Sequence, residues 1–278
     1  MSANAAPDHA IPSPVELEPE GRVELFFLLR AAGDPRPALE SAFRARGGGL
    51  VWSARVERLL IGEGELHWTH AALAHGPSRR VLLEATRHCA RAAGLEETAV
   101  HRFLREALPG PARAFLRGLR FASRWIHPAE PDPKALEAPK GMEPSPLNPP
   151  LARLRELAAD RSPAPAFMIN LLAFRERAAG ADPARGGPIS GRAAYRRYGL
   201  VAARSVALLG GSLEHLGRLE GPIADRAGLA TSGAWDELAI VRYPRPRSLV
   251  QLERMPGYAR ALAQRNAGLA RTALLVAR

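Results

Sequence analysis

The chain has 278 residues, 46% hydrophobic and 24% charged, which allows buried cores for about two domains and excludes a wholly disordered protein. A single cysteine, Cys89, excludes an internal disulfide framework and speaks against a cysteine-based metal cluster. The net charge of +11 raises nucleic acid as a partner. Yet only Lys134 and Lys140 are lysines, and the arginines are spread over helices and linkers without a dense basic run, so nucleic acid is set aside.

In chain order, residues 1–20, "MSANAAPDHAIPSPVELEPE", have neither a basic start nor an apolar run and read as a disordered tail, not a secretory signal. No stretch approaches the ~20 apolar residues needed to span a bilayer, so no membrane partner and a cytoplasmic location are expected. "RVELFFLLR" (22–30) reads as a strand and "DPRPALESAFRARG" (34–47) as a helix ended by the Gly47–Gly48 pair, which supplies the left-handed cap. "GGGLVWSARVE" (47–57) and the run "WTHAALAHGP" (68–77) follow as strands, the second stopped by a proline that cannot donate to a ladder. "SRRVLLEATRHCARA" (78–92) is the second helix. Residues 96–124 read as helical additions, with the first unit's last strand placed near 113–122. Residues 126–150 are a Pro-rich extended linker, and 149–162 a short helix with proline at its start.

The same order then returns. "AFMINLLAF" (166–174) is a strand, 190–210 a helix ended by Gly210–Gly211, and "GGSLEHLGRLE" (210–220) aligns without a gap on 47–57. "WDELAIVRYP" (235–244) repeats the Trp-to-Pro run, a helix over 246–266 bends at Pro256, and 271–278 closes the set as a strand. Each copy therefore reads as a βαββαβ unit. The runs "FFLL" and "LAIV" are apolar on both alternating faces, so each sheet should be covered on both sides, one by helices and the other by the sister sheet. The expected fold is α+β: tandem ferredoxin-like units, 21–125 and 151–278, forming an intrachain pseudo-dimeric α/β barrel that is monomeric in solution.

The second half carries "FMINLLAF", "YRRYG", "LLGGSLEHLGRLEG", "WDELAIVRYP" and "YARALAQRNAGLARTALL" in this order. It resembles the bacterial domain of unknown function numbered 1330, of the dimeric α/β-barrel superfamily. The first half is similar to a degenerate copy that keeps the Gly pair, Trp and Pro. The resemblance implies two ferredoxin-like units packed sheet to sheet. It implies no reaction, because the superfamily includes cofactor-free monooxygenases, haem-degrading enzymes, lactone isomerases and ligand-sensing domains.

Polar residues that interrupt the second copy's apolar strands are the candidate site. Asn170 lies inside "MINLL", where a buried amide must find partners. Strand alternation groups Leu213, His215, Gly217 and Leu219 on one face and Asp236, Leu238, Ile240 and Arg242 on another. His215 is the candidate acid or base, with Asn170 and Arg242 stabilising an enolate or carboxylate oxygen. Tyr195 and Tyr198 on the covering helix, with Trp235 and Tyr243, would bind a small apolar or aromatic molecule. The same tyrosines, three apart on a helix, also suit a core. Two readings therefore stand: a small-molecule enzyme of monooxygenase or isomerase type, and a non-catalytic ligand-binding or structural module. No cofactor is expected. His67, His70 and His75 alternate between faces and do not converge as metal ligands. In the first copy Leu28 lies near the position of Asn170, Trp52 replaces His215 and Gly76 replaces Tyr243.

Overall fold

A computed structural model describes residues 22–125, 130–134, 145–180 and 189–278. The expected tail lies outside the described residues, as does the linker apart from 130–134 and 145–150. Eight strands and seven α-helices are found among the described residues. They are β1 (Val23–Ala31), α1 (Arg36–Arg44), β2 (Gly49–Ile61), β3 (His70–Gly76), α2 (Arg79–Cys89), β4 (Leu95–Arg105) and α3 (Gly110–Ala122). After these come α4 (Leu151–Ala159), β5 (Ala166–Phe174), α5 (Gly191–Leu208) and β6 (Ser212–Ala224). The chain closes with β7 (Glu237–Tyr243), α6 (Ser248–Gln251), α7 (Tyr258–Gly268) and β8 (Leu269–Ala277).

The described residues divide into two compact units interleaved in sequence: those within 22–56, 66–104 and 219–234 form one, and those within 57–65, 105–218 and 235–278 the other. In the first unit β1 pairs antiparallel with β3 and β4, and β3 with β2. In the second, β5 pairs antiparallel with β7 and β8, and β7 with β6. Both sets have the order second, third, first, fourth, which is the ferredoxin-like split βαβ arrangement.

The two sets also share their irregularities. The β2 ladder slips at Val51, between Leu50 and Trp52, and the β6 ladder at Glu214, between Leu213 and His215. The outer pairs slip between Arg30 and Ala31 and between Ala173 and Phe174. Each places one extra residue against its partner strand and re-aims the side chains beyond it. Gly47 and Gly210 hold φ of 75° and 81° at the helix ends. The next glycine in each case has no room for a side chain: a Cβ on Gly48 would strike the His75 carbonyl oxygen, and one on Gly211 would lie 2.6 Å from that of Arg242.

One face of the first sheet packs Leu25, Phe27 and Leu29 against Leu39 and Phe43 of α1 and Leu82, Ala85 and Cys89 of α2. In the second unit Ala166, Met168 and Tyr243 pack on Val206 of α5, Tyr258 of α7 and Leu157 of α4. The alternate residues Phe26, Leu28, Ile169, Leu171, Leu238 and Ile240 are buried too, so neither face of β1, β5 or β7 is wet.

Three local expectations are corrected. Residues 95–105 are strand β4 and 110–122 are helix α3, so the first set's last strand precedes the helix. "TAVHRF" alternates with β-branched residues, whereas Pro111 opens a run of helical period. Residues 246–266 are broken, not bent: α6 gives way to a 3-10 turn, and Gly257 at φ 82° precedes α7. Finally, Leu213 and His215 do not share a face, because Glu214 is the extra residue between them.

Gly48→Ala and Gly211→Ala should each cost roughly 2 kcal/mol or more, since the obstacle is backbone and cannot swing aside. Urea unfolding of the two variants would check this, and wild-type stability in either would contradict the close approach.

Candidate functional site

Residues directly opposite in a ladder project to the same side of the sheet. Asn170 faces Ala239, His215 faces Ile240, and Phe167 and Ser212 both face Arg242. Asn170 therefore shares the helix-covered side with Tyr243, Met168 and Leu216, whereas His215 and Arg242 lie on the reverse. The expected trio is not gathered: the register brings Asn170, Tyr243, Tyr195 and Tyr198 to one side and leaves His215 and Arg242 on the other.

Each of these residues has its own setting. The Asn170 side-chain amide donates to the Met168 and Ala239 carbonyls at 3.2 and 3.1 Å. His215 Nδ1 lies 2.9 Å from an Arg105 guanidinium nitrogen, and since arginine can only donate, that ring nitrogen accepts. Trp235 is buried beneath the Arg271 guanidinium, 3.9 Å above its ring. Asp236, at the start of the same strand, accepts from the Phe174 backbone N–H at 2.6 Å. The Tyr195 ring lies between those of Phe174 and Tyr198, tilted to each, with centroids 5.3 and 5.4 Å away, and the Tyr198 and Tyr258 hydroxyls are 3.0 Å apart. Burial pushes the phenols of Tyr195, Tyr243 and Tyr258 well above their ordinary range, so all three stay neutral donors.

The group the sequence reading missed is Glu237. It opens β7 in step with Tyr243, on the helix-covered side, and lies across the ladders from Leu172 and Arg218. Its side chain is only 8% exposed, and Arg192 Nη1 stands 3.4 Å from its carboxylate. The same guanidinium lies 3.7 Å from Glu106 and 5.0 Å over the Phe174 ring. Arg196 and Arg218 approach Glu106 at 3.8 and 3.7 Å. Burial drives the Glu237 carboxyl up to about 7; Arg192 opposes the rise and Glu106 adds to it. At neutral pH it is close to half-ionised, the condition under which a carboxyl both gives and takes a proton readily.

Backbone contact sets this geometry. Ser190 caps α5, accepting from the Ala193 N–H at 3.2 Å. One residue on, a Cβ on Gly191 would meet the Arg175 and Gly268 carbonyl oxygens. The first turn of α5 thus lies directly on the last turn of α7, which sets Arg192 and Tyr195 over the start of β7. Leu147, inside the stretch expected to be linker, joins Leu172, Leu269, Phe174 and Tyr195 in an apolar cluster. That apolar surround is the physical source of the raised carboxyl.

The first unit differs at each matching position. Phe27, not Leu28, occupies the place of Asn170, for Phe27 faces Ala72 as Asn170 faces Ala239. His70 takes the place of Glu237, across from Leu29 and Arg55. It is buried with Nδ1 3.0 Å from the Thr69 hydroxyl, and burial lowers its pKa. His67 lies 2.9 Å from Glu97, so it and His70 have separate partners. Among the described residues no cluster of three or more His, Cys, Asp or Glu could hold a metal ion.

His101 of β4 is fully buried and neither ring nitrogen has a hydrogen-bond partner; burial lowers its pKa to about 4.

No protein-family model matches the chain, and no curated protein matches it. Among solved structures, the RPA0582 protein of Rhodopseudomonas palustris, described as a protein of unknown function, is 30% identical. The match covers 45% of this chain and 87% of that one, at a TM-score of 0.38. A mutant chlorite dismutase from Candidatus Nitrospira defluvii is 10% identical over 94% of this chain and 93% of its own, at a TM-score of 0.42. The same enzyme in complex with imidazole gives 10% identity, 93% and 92% coverage and a TM-score of 0.41. Superpositions this loose carry no functional information.

Two buried groups give the fold opposite pH dependences. Glu237 titrates higher folded than unfolded, so its contribution is full below about pH 4.5 and is lost as pH rises through about 7. His101 titrates lower folded, so its contribution is full above about pH 6.5 and is lost as pH falls through about 4. Each amounts to about 3 kcal/mol at most. In denaturant titrations across pH, Glu237→Gln should remove the alkaline loss and leave the acid loss. An unchanged alkaline limb would mean that Glu237 ionises freely.

Proposed function

We propose that the protein is a small-molecule enzyme whose chemistry turns on proton transfer at Glu237 in the second unit. The single observation behind this is a buried carboxyl held at about pKa 7 beside the Arg192 guanidinium. In this reading a small apolar or aromatic compound with an acidic C–H or O–H lies against α5, packed by Phe174, Tyr195 and Tyr198. Glu237 removes its proton. Arg192, with Tyr195 as a neutral donor, stabilises the oxygen that gains the negative charge. Return of the proton at another atom would make the reaction an isomerisation. Proton removal is also the opening step of cofactor-free oxygenation, the monooxygenase alternative of this reading. Asn170 stays in the proposal as a residue that fixes β5 to β7 through its two carbonyl bonds.

The finer architecture belongs to the same proposal. The two sheets are taken as the halves of one pseudo-dimeric barrel built from an internal repeat, monomeric in solution and cytoplasmic. The second half is taken as a relative of the domain numbered 1330. Their matched ladders and bulge positions support a common ancestral unit.

A thermal-shift screen with quinones, phenols and lactones would supply a ligand, and each hit would then be assayed for conversion. Glu237→Gln should lower kcat about 100-fold or more, the scale of a lost general acid or base, while keeping most of the ligand stabilisation. The pH profile of wild-type kcat/KM should show an inflection near 7. His215→Ala, on the other side of the sheet, should leave turnover within about twofold, because it makes no contact with the proposed reacting group. Hits that bind without conversion would establish a ligand-binding module instead. Loss of turnover in His215→Ala but not in Glu237→Gln would move the chemistry to the opposite face.

A further inference from the structure

Helix α3 has no fully buried residue. Ala112, Leu116 and Leu119 are partly covered, and the helix packs against α5. The remainder of its surface has an unusual composition for a solvated face. Phe115, Phe121 and Trp125 are 59%, 55% and 69% exposed, three of the five large hydrophobic residues exposed to that degree among those described. Trp125 lies in the 3-10 turn that continues α3, and its ring meets that of Phe121 at 5.3 Å.

Arg113, Arg117, Arg120 and Arg124 follow at spacings of four, three and four residues, all exposed. On a 3.6-residue helix that spacing makes one stripe. Between Ala107 and Trp125 the chain carries no aspartate or glutamate. Among the described residues no carboxylate pairs with these four arginines. Arg120 donates to the Ser212 hydroxyl at 3.3 Å, and Arg124 lies 4.8 Å over the Phe121 ring. Phe121 and Trp125 fall beside the arginine stripe, away from the partly covered leucines. A helix of this build, cationic on one flank and aromatic on its outward edge, matches segments that lie in the headgroup region of a bilayer. Arginine forks bind lipid phosphates, and an exposed tryptophan with a wet edge and an apolar body suits that boundary.

We infer that α3 and its 3-10 turn are a docking surface for an anionic phospholipid membrane, on which the protein rests peripherally. Phe121 and Trp125 enter the acyl boundary, and the four arginines meet the phosphates. This contact is not a span: no described helix is long and apolar enough to cross a membrane. It is also independent of the chemistry assigned to Glu237. Exposed aromatics decide the class of partner. Duplex nucleic acid would use the arginines but leave three large apolar side chains in water.

The full chain would be co-sedimented with vesicles of phosphatidylglycerol and phosphatidylcholine, and with vesicles of phosphatidylcholine alone. Binding is expected to the anionic vesicles only, to weaken as salt is raised, and to shift Trp125 emission to the blue, an effect absent from Trp125→Phe. The pair Arg113→Gln and Arg117→Gln should lower the vesicle affinity about tenfold or more. The pair Phe115→Ala and Phe121→Ala should do likewise, with unchanged circular dichroism and melting as the control for folding; if that pair unfolds, the arginine pair carries the test alone. Equal binding to neutral vesicles, no binding, or binding unaffected by either pair would overturn the proposal. So would tighter, salt-sensitive binding to duplex DNA, or a dimer seen by light scattering that the aromatic pair dissolves.

Discussion

Neither Gly191 nor Gly268 has space for a side chain, and that constraint organises the second unit. A Cβ on Gly268 would run into the Gly191 carbonyl oxygen and come within 2.9 Å of the Tyr195 backbone nitrogen. Two helices that normally keep 8–10 Å between their axes must here meet backbone to backbone. Everything in the candidate site follows from that approach. It puts the N-terminal turn of α5 over the first residue of β7 and the Tyr195 ring beside Phe174. Arg192 then lies within ion-pair distance of both Glu106 and Glu237. A larger residue at either glycine would lift α5 away and let water reach the carboxyl. Its pKa would then return toward that of an ordinary glutamate.

Burial and charge oppose each other at Glu237. Arg192 pulls the carboxyl toward ionisation, and burial with the neighbouring Glu106 pushes the other way; burial wins. A fully paired surface carboxylate would titrate far below neutrality and be a poor proton donor. The site keeps its cation only partly committed, since Arg192 is shared with a second carboxylate and stacks on Phe174. A sharing cation next to a protonatable acid can turn toward an incoming anion without leaving a buried charge behind. Purely structural ion pairs look different: Asp160 accepts from both Arg58 and Arg278 at 2.6 Å, so both cations are committed to it.

The two sheets share their strand order and bulge positions but carry different side chains. The sheet position of Glu237 holds His70 in the first unit, and that of Asn170 holds Phe27. Common bulges at Val51 and Glu214 turn the strand that follows by one face in both. The fold therefore conserves where side chains point while leaving free what they are. Such a scaffold lets one unit carry a polar cluster where the other has an aromatic contact, Phe27 lying tilted 6.0 Å from Phe43.

Sequence alone determined the order of elements in both copies, because strand alternation, helix period, Gly pairs and terminal prolines are local signals. β5 was read as 166–174 and is Ala166–Phe174; both Gly pairs end helices as expected. Locally similar signals misled it at 95–122, where strand and helix were exchanged. The candidate trio failed for two other reasons: Arg242, next to Tyr243 on β7, takes the opposite face by alternation alone, and His215 follows a bulge. A bulge adds one residue to one strand only in relation to its partner, and nothing in "SLEHLG" marks Glu214 as that residue. One unpaired residue was enough to send His215 to the far face. Glu237 was open to inspection, since alternation puts it in step with Tyr243, but an acid beside Asp236 at a strand's start resembles a solvated edge. Only the tertiary structure, through the glycine contact between α5 and α7 and the burial it enforces, decided that this acid sits out of water beside an arginine.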